Sequence, residues 1–407
     1  MMPVTALRAI VLFASALPLV YYVLAAYSAR RYFLTRRHLA PGRGNSAARG
    51  ERAPVDDFTP PVSILKPVRG LDRTTYDNFA TFCRQDYPDY EIVFSVADEE
   101  DPAIDVIRRI IAAFPERSIR LLVGAPELGT SSKVNKLCRL AREARHDLLV
   151  ISDSDIRVTP DYLRSVVVPF RDPRVGAVTC LYVGLTDGHL ASGLEAIGIA
   201  ADFTGGVVTA WQLEGVKFTL GATMATTRDR LRDIGGFEAL VAYCAEDFEL
   251  GHRVAKLGYR VELAPYVVAS ECAVRTLREY MRHQLRWAIS TRHSRPWGYA
   301  GMVLTQGLPW AVVATAVVPS SVVAAGYFGA YLTLRLVMAW SLAKWALCDL
   351  QVVRKWWLLP LRDALAFVVW LGGLFRNRIY WRGREFDVHD GRLIPVASAA
   401  SRAGPTW

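Results

Sequence analysis

The stretch Leu148-Leu149-Val150-Ile151-Ser152-Asp153-Ser154-Asp155 decides the fold of this chain of 407 residues. Its first half is a short, uninterrupted apolar run, which is typical of a strand buried inside a parallel sheet. Its second half places two carboxylates where that strand ends. Open α/β sheets bind their ligands at the carboxyl ends of the strands, so Asp153 and Asp155 are candidate ligands of a divalent metal. An ordinary solvated turn is the alternative.

Upstream of this stretch, apolar runs alternate with segments of helical periodicity. The predicted strands are 61–65, 90–96, 118–123 and 146–151, and the predicted helices are 76–83, 102–111 and 133–144. Strands that alternate with helices indicate an α/β fold with a doubly wound, mostly parallel sheet.

Polar residues also follow the other predicted strands. Lys66 and Asp98 end the first and second strands, so we expect them at the same edge of the sheet as Asp153. Lys133 and Asn135 open the next helix, where the backbone dipole and an ammonium group favour a diphosphate. Asp98 as a helix cap and Lys133 on a solvated helix start are the alternatives.

A second acidic pair, Glu246-Asp247, lies about ninety residues later, before a segment with helical spacing of apolar residues. A carboxylate that reaches the metal site from another element is able to act as a general base. We therefore interpret Asp247 as a candidate base, with an N-terminal helix cap as the alternative.

A basic amphipathic helix is predicted from about Val274 to Ser290. Such a helix is typical of a membrane surface, where it binds anionic lipid headgroups. His283, Arg286 and Trp287 on this helix are further candidates for contacts with a diphosphate and a sugar.

Both ends of the chain are apolar. Residues 10–29 are uncharged and long enough to cross a bilayer, and the arginine-rich residues that follow place this flank in the cytosol. A cleaved signal peptide is the alternative, but the apolar run is long for one and the positive charge lies behind it. Residues 30–60 are predicted to form a flexible, basic linker.

The C-terminal apolar region, 298–376, contains a predicted helical hairpin that turns near Pro319 and a third segment, Trp356–Phe375. That segment includes Arg362 and Asp363, which we expect to pair or to lie near an interface. Three crossings would place the basic tail outside, against the positive-inside rule. A segment that is re-entrant or lies flat would remove this conflict.

Composition excludes several classes of protein. The net charge of +10 lies beside apolar segments, which favours a membrane surface over nucleic acid. The scattered cysteines and histidines do not have the spacing of a Cys/His metal site. The chain has no Gly-x-Gly-x-x-Gly or Walker loop, which argues against hydride transfer and P-loop phosphoryl transfer.

The order and spacing of these motifs resemble the family 2 membrane glycosyltransferases and, more closely, family 21, the ceramide glucosyltransferases and their bacterial relatives. The resemblance runs from about Val62 to Trp287. Its segments are Ser63–Asp72, Asp98–Ala103, Lys133–Asn135, Asp153–Val158, Glu246-Asp247 and Arg286-Trp287.

This resemblance implies a GT-A fold and an inverting transfer from a UDP-sugar. It implies that Asp98 accepts a hydrogen bond from the uracil and that Asp153 and Asp155 hold Mg²⁺ or Mn²⁺ on the diphosphate. It further implies that Asp247 takes the proton from the acceptor hydroxyl.

The resemblance also implies that Arg286 and Trp287 stabilise the departing UDP. The sequence departs from the family pattern at His283, where the family has Gln or Arg. An imidazole is still able to donate a hydrogen bond at this place.

The sequence hypothesis is a membrane-bound, metal-dependent glycosyltransferase that moves glucose or N-acetylglucosamine from UDP to a lipid in the bilayer. Ceramide and hopanoid polyols are the candidate acceptors, and a bacterial inner membrane is the expected location. The expected organisation is an anchor, a linker, a cytosolic GT-A domain, an interfacial helix, a transmembrane region and a basic tail. These cover residues 10–29, 30–60, 61–270, 271–297, 298–376 and 377–407.

Two other functions are compatible with parts of this pattern. A polysaccharide synthase would need more C-terminal helices to line a channel, and an inactive membrane scaffold would not need the intact carboxylates. We also expect part of the segment Asp187–Lys217 to lie at the membrane surface and to shape the acceptor cleft. An ordinary core helix is the alternative there.

Overall fold

The computed structural model describes residues 4–39, 58–318, 320–349, 353–381 and 384–396. Residues 30–39 of the predicted flexible linker are instead helical, as the end of the helix Val4–Leu39, and residues 40–57 lie outside the described residues. The same holds for Pro319, where the hairpin turn is predicted, and for the last eleven positions of the predicted basic tail.

An eight-stranded sheet forms the centre of the molecule, with the strand order β3-β2-β1-β4-β7-β6-β8-β5. The strands are β1 Val62–Val68, β2 Tyr90–Val96, β3 Ser118–Val123, β4 Leu148–Ile151, β5 Ile156–Arg157, β6 Val175–Leu185, β7 Met224–Thr227 and β8 Arg260–Glu271. The first four strands pair in parallel, and β6 is parallel to β8. β7 runs antiparallel to β4 and β6, and β5 runs antiparallel to β8. The predicted α/β fold with a mostly parallel sheet is confirmed.

Helices cover both faces of this sheet. They are α2 Thr75–Cys83, α3 Ala103–Ala113, α4 Ser132–Glu143, α5 Tyr162–Val167, α6 Leu190–Ile197, α7 Thr204–Glu214, α8 Arg228–Asp233 and α9 Glu246–Lys256. Successive residues of a strand point to opposite faces. Accordingly Ile64 packs in the same core cluster as Phe79 of α2, whereas Leu65 packs with Val134 of α4.

The predicted strand at 146–151 begins two residues later, at Leu148. The reason is local, because the backbone N–H of His146 donates to the hydroxyl of Ser63. The backbone of His146 is thus fixed by a side chain, while the carbonyl of Asp147 accepts from the backbone N–H of Arg228, the residue after β7.

Several helices outside the sheet are long and apolar. α1 spans Val4–Leu39, and α13 spans Ser321–Ser341 with a π-helical extension, Leu342–Leu347. α14, Leu359–Phe375, follows a 3₁₀ segment at Val353–Leu358. These three stretches have the length and composition to cross a membrane.

The first arm of the predicted C-terminal hairpin is broken. α11, Pro296–Gly301, and a 3₁₀ turn, Met302–Thr305, meet α12, Gly307–Val317, at an angle of 54°. The bend falls at Gln306, next to Gly307 and Pro309, which are residues that interrupt a helix. α12 and α13 form the two arms of a hairpin, as predicted, but α12 alone is short for a membrane span.

Arg362 and Asp363 each form an ion pair, as predicted, but with other residues and not with one another. Arg335 of α13 lies 2.6 Å from Asp363 of α14, and it also lies 2.5 Å from Asp202. Arg362 lies 3.2 Å from the same Asp202, which belongs to the π-helical turn Gly198–Phe203 between α6 and α7. Two arginines and two aspartates therefore neutralise one another.

The predicted amphipathic helix is α10, Leu277–Ser294, which begins three residues later than expected. The start is set by a capping box, in which Thr276 and Glu279 exchange hydrogen bonds with each other's backbone N–H. α14 lies alongside α10, with Gly373 of α14 close to Ala288.

The part of the C-terminal tail that the structure describes forms a small antiparallel sheet, which the sequence did not predict. Its strands are β9 Arg378–Trp381, β10 Arg384–His389 and β11 Arg392–Pro395. The sheet returns to the central domain, where the N–H of Leu393 donates to the carbonyl of Ala242 at 2.7 Å.

The segment Asp187–Lys217 becomes the bent helix α6–α7. Gly205 lies against Tyr21 of α1 and Leu342 at the end of α13, while Ala196 packs beside β6. The segment thus lies between the sheet and the membrane helices and contacts both.

Candidate active site

A buried lysine, Lys66, donates hydrogen bonds to the acidic turn after β4. Lys66 is fully buried, and its ammonium donates to the carbonyl of Asp153 at 2.8 Å and to the hydroxyl of Ser152 at 3.2 Å. Burial lowers the pKa of Lys66 to about 7, against the opposing charges of Asp155 and Asp153. In this structure Lys66 therefore contacts the turn itself, and its predicted contact with a nucleotide stays a prediction.

Lys133 joins the two acidic clusters that lie ninety residues apart in the sequence. Its ammonium is 2.5 Å from Asp153 and 2.8 Å from Glu246. Burial alone would lower the pKa of Lys133, but the charges of Asp153 and Glu246 outweigh it and the pKa lies above its usual value. Lys133 is therefore a fixed cation between the candidate metal ligands and the candidate base.

Asp155 lies at the other side of the turn, where it accepts a hydrogen bond of 2.9 Å from the hydroxyl of Ser270. Burial and the neighbouring charge of Asp153 raise the pKa of Asp155 to about 6. A divalent cation bound between Asp153 and Asp155 would stabilise the ionised form of Asp155.

The donor set fits a cation that is shared with a substrate. In the part of the chain that the structure describes, no group of three or more His, Cys, Asp or Glu side chains could enclose a metal. Mg²⁺ is usually bound by one or two carboxylates plus substrate phosphates and water. Asp153 and Asp155 match that arrangement.

Asp247, the second residue of α9, is fixed by three hydrogen bonds. One carboxylate oxygen accepts from the N–H of Gly221 at 2.9 Å, and the other accepts from the N–H of Phe248 at 2.8 Å. The hydroxyl of Thr219 donates to its carbonyl at 2.6 Å. The position before the helix is occupied by Ala245, so Asp247 does not serve as the N-terminal cap.

The carboxylates of Asp247 and Asp153 line the same small space. A β-carbon placed on Gly221 would lie 3.2 Å from an oxygen of Asp247 and 3.3 Å from an oxygen of Asp153. Burial and the charge of Glu246 raise the pKa of Asp247 to about 6, although Lys133 opposes the shift. A carboxylate with such a pKa is suited to take a proton near neutral pH.

Two other residues predicted to bind the donor, Asp98 and Asn135, form their hydrogen bonds away from the acidic cluster. Asp98 is exposed in the loop after β2, where its carboxylate accepts from the N–H of Glu100 at 3.0 Å. Asn135 is tied to the loop before its helix through two hydrogen bonds with Gly129. Neither residue contacts the cluster around Lys133, and their predicted roles with a donor stay predictions.

The three residues singled out on α10 point in two directions. His283 lies 2.8 Å from Glu195 of α6, and its ring packs on Trp287 with the ring centres 4.6 Å apart. Arg286 instead lies over the ring of Trp381 in β9 at 5.6 Å. α10 therefore contacts α6 through His283 and the C-terminal sheet through Arg286.

Sequence reasoning missed the residues that hold the candidates in place. They are Glu195, Gly221, Ser270 and Trp381, which belong to segments remote in sequence from the motifs. Glu195 alone carried a signal, because it is an acid in the middle of a largely apolar stretch.

The family model described as Glycosyl transferase family 21 matches residues 10–394 of the chain. Ceramide glucosyltransferase 1 of Caenorhabditis elegans is 26% identical over 234 residues, which are 57% of this chain and 50% of that protein. A ceramide glucosyltransferase of Gibberella zeae is 31% identical over 133 residues, which are 30% of this chain and 25% of that protein. The chain thus matches half the length of the Caenorhabditis elegans protein and a quarter of the length of the Gibberella zeae protein.

Among solved structures, the fold is similar to that of mannosyltransferase PcManGT from Pyrobaculum calidifontis, which was solved in complex with GDP-Man and Mn²⁺. The TM-score is 0.53 at 19% sequence identity, and the match covers 91% of this chain and 99% of that chain. The likeness confirms the GT-A fold.

Proposed function

The chain belongs to glycosyl transferase family 21, and on that premise we propose that it moves a hexose from a UDP-sugar to a hydroxyl group of a membrane lipid. The observation that carries the proposal is the cluster in which Lys133 bridges Asp153 and Glu246, with Asp247 beside it. It brings a candidate metal site and a candidate base to one edge of the sheet.

Asp153 and Asp155 would hold Mg²⁺ or Mn²⁺ at the diphosphate of the donor. The metal would neutralise charge on the departing UDP, so that this group leaves without a proton. Lys66 and Ser270 keep the two carboxylates in place, through the backbone of Asp153 and the side chain of Asp155. Lys133 adds a fixed positive charge beside the same space.

Asp247 would accept the proton of the acceptor hydroxyl as that oxygen attacks the sugar from the side opposite UDP. An in-line attack of this kind inverts the configuration of the sugar carbon. The N–H of Gly221 orients one oxygen of Asp247, and a pKa of about 6 leaves most of the carboxylate ionised at neutral pH. Asp98 would contact the uracil, and Arg286 and Trp287 the departing UDP.

Ceramide is the first acceptor to test, because the curated relatives are ceramide glucosyltransferases. Hopanoid polyols are the second acceptor to test, because the arginine- and alanine-rich composition of the chain is typical of a bacterial protein. The helix α6–α7 supports a lipid acceptor, since it contacts both the sheet and the membrane helices. We place the catalytic domain on the cytosolic face of a bacterial inner membrane.

The test uses protein purified in detergent with labelled UDP-glucose or UDP-N-acetylglucosamine, Mn²⁺ and each lipid. We expect a labelled glycolipid that is lost on chelation of the metal. We expect Asp155→Ala to lose metal-dependent UDP binding, since one of two carboxylate ligands is removed. The absence of transfer from any donor would refute the proposal, and a long polymer would identify a polysaccharide synthase.

A further inference from the structure

Glu195 of α6 is a buried acid whose carboxylate is not fully hydrogen-bonded among the described residues. The residue is 4% exposed, and its Oε1 lies 2.8 Å from Nδ1 of His283, an ion-pair contact whose geometry is not that of a hydrogen bond. The second oxygen, Oε2, is buried and has no hydrogen-bond partner among the residues that the structure describes. A buried carboxylate oxygen without a partner is rare and costly, so it requires an explanation.

A short path of contacts leads from this acid to the proposed metal site. Ser270 donates to Asp155, and two residues later on the same segment lies Cys272. Cys272 and Ala196 pack against the same glycine of β6, and Ala196 follows Glu195 in the chain. Burial and the charges of Glu195 and Asp155 all raise the pKa of Cys272, so both acids lie near this thiol.

The opposite side of α6 faces elements with the character of a membrane interface. Leu194 packs in one cluster with Leu358, and Lys355 lies beside Gly193. The next residues, Trp356 and Trp357, are 53% and 61% exposed. Exposed tryptophans beside a lysine are typical of the headgroup level of a bilayer.

The pair Glu195–His283 thus lies between the membrane interface and the catalytic acids, where the polar end of a lipid acceptor has to be placed. The side chain of His283 is 28% exposed, so the pair is reached from the side of the imidazole. The ring of Trp287 packs on His283 and fixes its orientation. A carboxylate that is already desolvated and oriented binds a hydrogen-bond donor strongly.

We infer that Glu195 accepts a hydrogen bond from a second polar group of the acceptor lipid, next to the hydroxyl that Asp247 deprotonates. This inference rests on the proposed function. It selects lipids that carry an N–H or a further O–H beside the reacting hydroxyl. Ceramide, with its amide and secondary hydroxyl, and hopanoid polyols belong to this class, whereas diacylglycerol has a single hydroxyl and does not.

The experiment compares ceramide with diacylglycerol as acceptors for the wild type, Glu195→Leu and Glu195→Gln. Glu195→Leu removes the acceptor oxygens, whereas Glu195→Gln keeps one oxygen and an N–H group for His283. Glu214→Gln is the matched control, because Glu214 ends the same bent helix in exposed ion pairs with Lys217 and Arg295. Binding of UDP by calorimetry and the melting temperature report separately on the donor site and on folding.

We expect Glu195→Leu to lower kcat/KM for ceramide about 10- to 100-fold, the effect of one hydrogen bond to a charged group. Its kcat/KM for diacylglycerol and its affinity for UDP should stay within twofold of the wild type. Glu195→Gln should keep most of the preference for ceramide, and Glu214→Gln all of it.

An equal loss on both lipids, or a lost affinity for UDP, would show that Glu195 only supports the fold and would overturn the inference alone. A wild type that transfers sugar to diacylglycerol as well as to ceramide would also overturn it. A wild type that binds UDP but glycosylates no lipid would instead refute the proposed function, and the inference with it.

Discussion

Lys133 is the residue at which the two acidic clusters meet, and its charge organises the site. It forms ion pairs with Asp153 and Glu246. Burial raises the pKa of Asp155 and of Asp247, and for Asp247 it outweighs the opposing charge of Lys133. The site therefore holds more negative than positive charge before a donor binds. An excess of carboxylates is the arrangement that attracts a divalent cation.

The base gives the first prediction. Only the ionised carboxylate of Asp247 is able to take a proton, and burial raises its pKa to about 6. At saturating Mn²⁺ and donor, we expect turnover to be highest above pH 7 and to fall as the pH drops through about 6. Asp247→Asn should abolish transfer while UDP still binds, because an amide is isosteric but does not accept the proton.

This prediction is checked by initial rates between pH 5 and 8, together with UDP affinity at each pH. The affinity measurement separates Asp247 from Asp155, whose pKa is also raised to about 6. Transfer by Asp247→Asn at the rate of the wild type would exclude Asp247 as the base.

Gly221 gives the second prediction. Its N–H holds Asp247, and a β-carbon there would lie 3.2 Å from Asp247 and 3.3 Å from Asp153. We expect Gly221→Ala to lower kcat/KM by at least about tenfold, since small displacements of reacting groups have effects of this size. Gly206→Ala is the control, because a β-carbon at Gly206 would meet nothing within 4 Å.

Circular dichroism should give similar melting temperatures for both glycine variants and the wild type. If Gly221→Ala turned over like Gly206→Ala, the carboxylates of Asp247 and Asp153 would not need the space that this glycine leaves.

Sequence predicts single residues well where a local pattern fixes their place. Asp153 and Asp155 follow directly on a buried strand, so their position at the sheet edge could be predicted. Gly221 and Glu195 could not, because they reach the site through packing between segments that are distant in the chain. His283 was recognised by its place in a motif, but its partner Glu195 was not.

Secondary structure elements, too, could be predicted where a local sequence pattern sets them and not where tertiary contacts do. The strands β1 to β4 and the helices between them were predicted from periodicity, a property of neighbouring residues. The sheet of β9 to β11 was missed, because its strands are four to six residues long and rich in arginine. Its hydrogen bonds to the central domain depend on tertiary contacts.

This C-terminal sheet contacts two candidate parts of the active site, and this gives the third prediction. Gly391 and Leu393 bond to the loop just before Asp247, and Trp381 lies under Arg286. A chain that ends after residue 376 should lose most of its activity, because both contacts are removed. A chain that ends after residue 396 keeps the sheet and serves as its control.

Activity and UDP affinity of the two truncated chains, measured in the same detergent, check this prediction. Equal activity of both would show that the sheet does not position the loop of Asp247. A loss limited to the shorter chain, with its melting transition retained, would support the positioning role.

At the scale of the whole molecule, α14 is a membrane-span candidate that lies along α10. Its first turn packs with Tyr280, and its end lies at Ala288 and Arg292. α10 carries several arginines and therefore cannot lie within the hydrocarbon core. We therefore predict that both ends of α14 lie on the side of the catalytic domain and that this helix lies flat on the membrane.

The C-terminal sheet leads to the same topology. Because Leu393 bonds to Ala242, the tail and the catalytic domain share one side of the membrane. An even number of crossings must then separate them. Among the described residues, we predict that the broken helix Pro296–Val317 and α13 supply these two crossings, and that α1 supplies one before the catalytic domain. In this proposed topology the basic tail would face the cytosol, as the positive-inside rule predicts.

Cysteine labelling tests this topology and gives the fourth prediction. Cys348 is exposed and is first replaced by serine, since the other cysteines of the described chain are buried. Single cysteines are then introduced as Arg108→Cys on α3, Ser320→Cys between α12 and α13, and Ile394→Cys in β11. In sealed vesicles in which Arg108→Cys reacts with a membrane-impermeant maleimide, Ile394→Cys should react as well, and Ser320→Cys only after the membrane is opened. If α14 crossed the bilayer along with the broken helix and α13, Ile394→Cys would instead be protected together with Ser320→Cys, and the flat placement of α14 would be wrong.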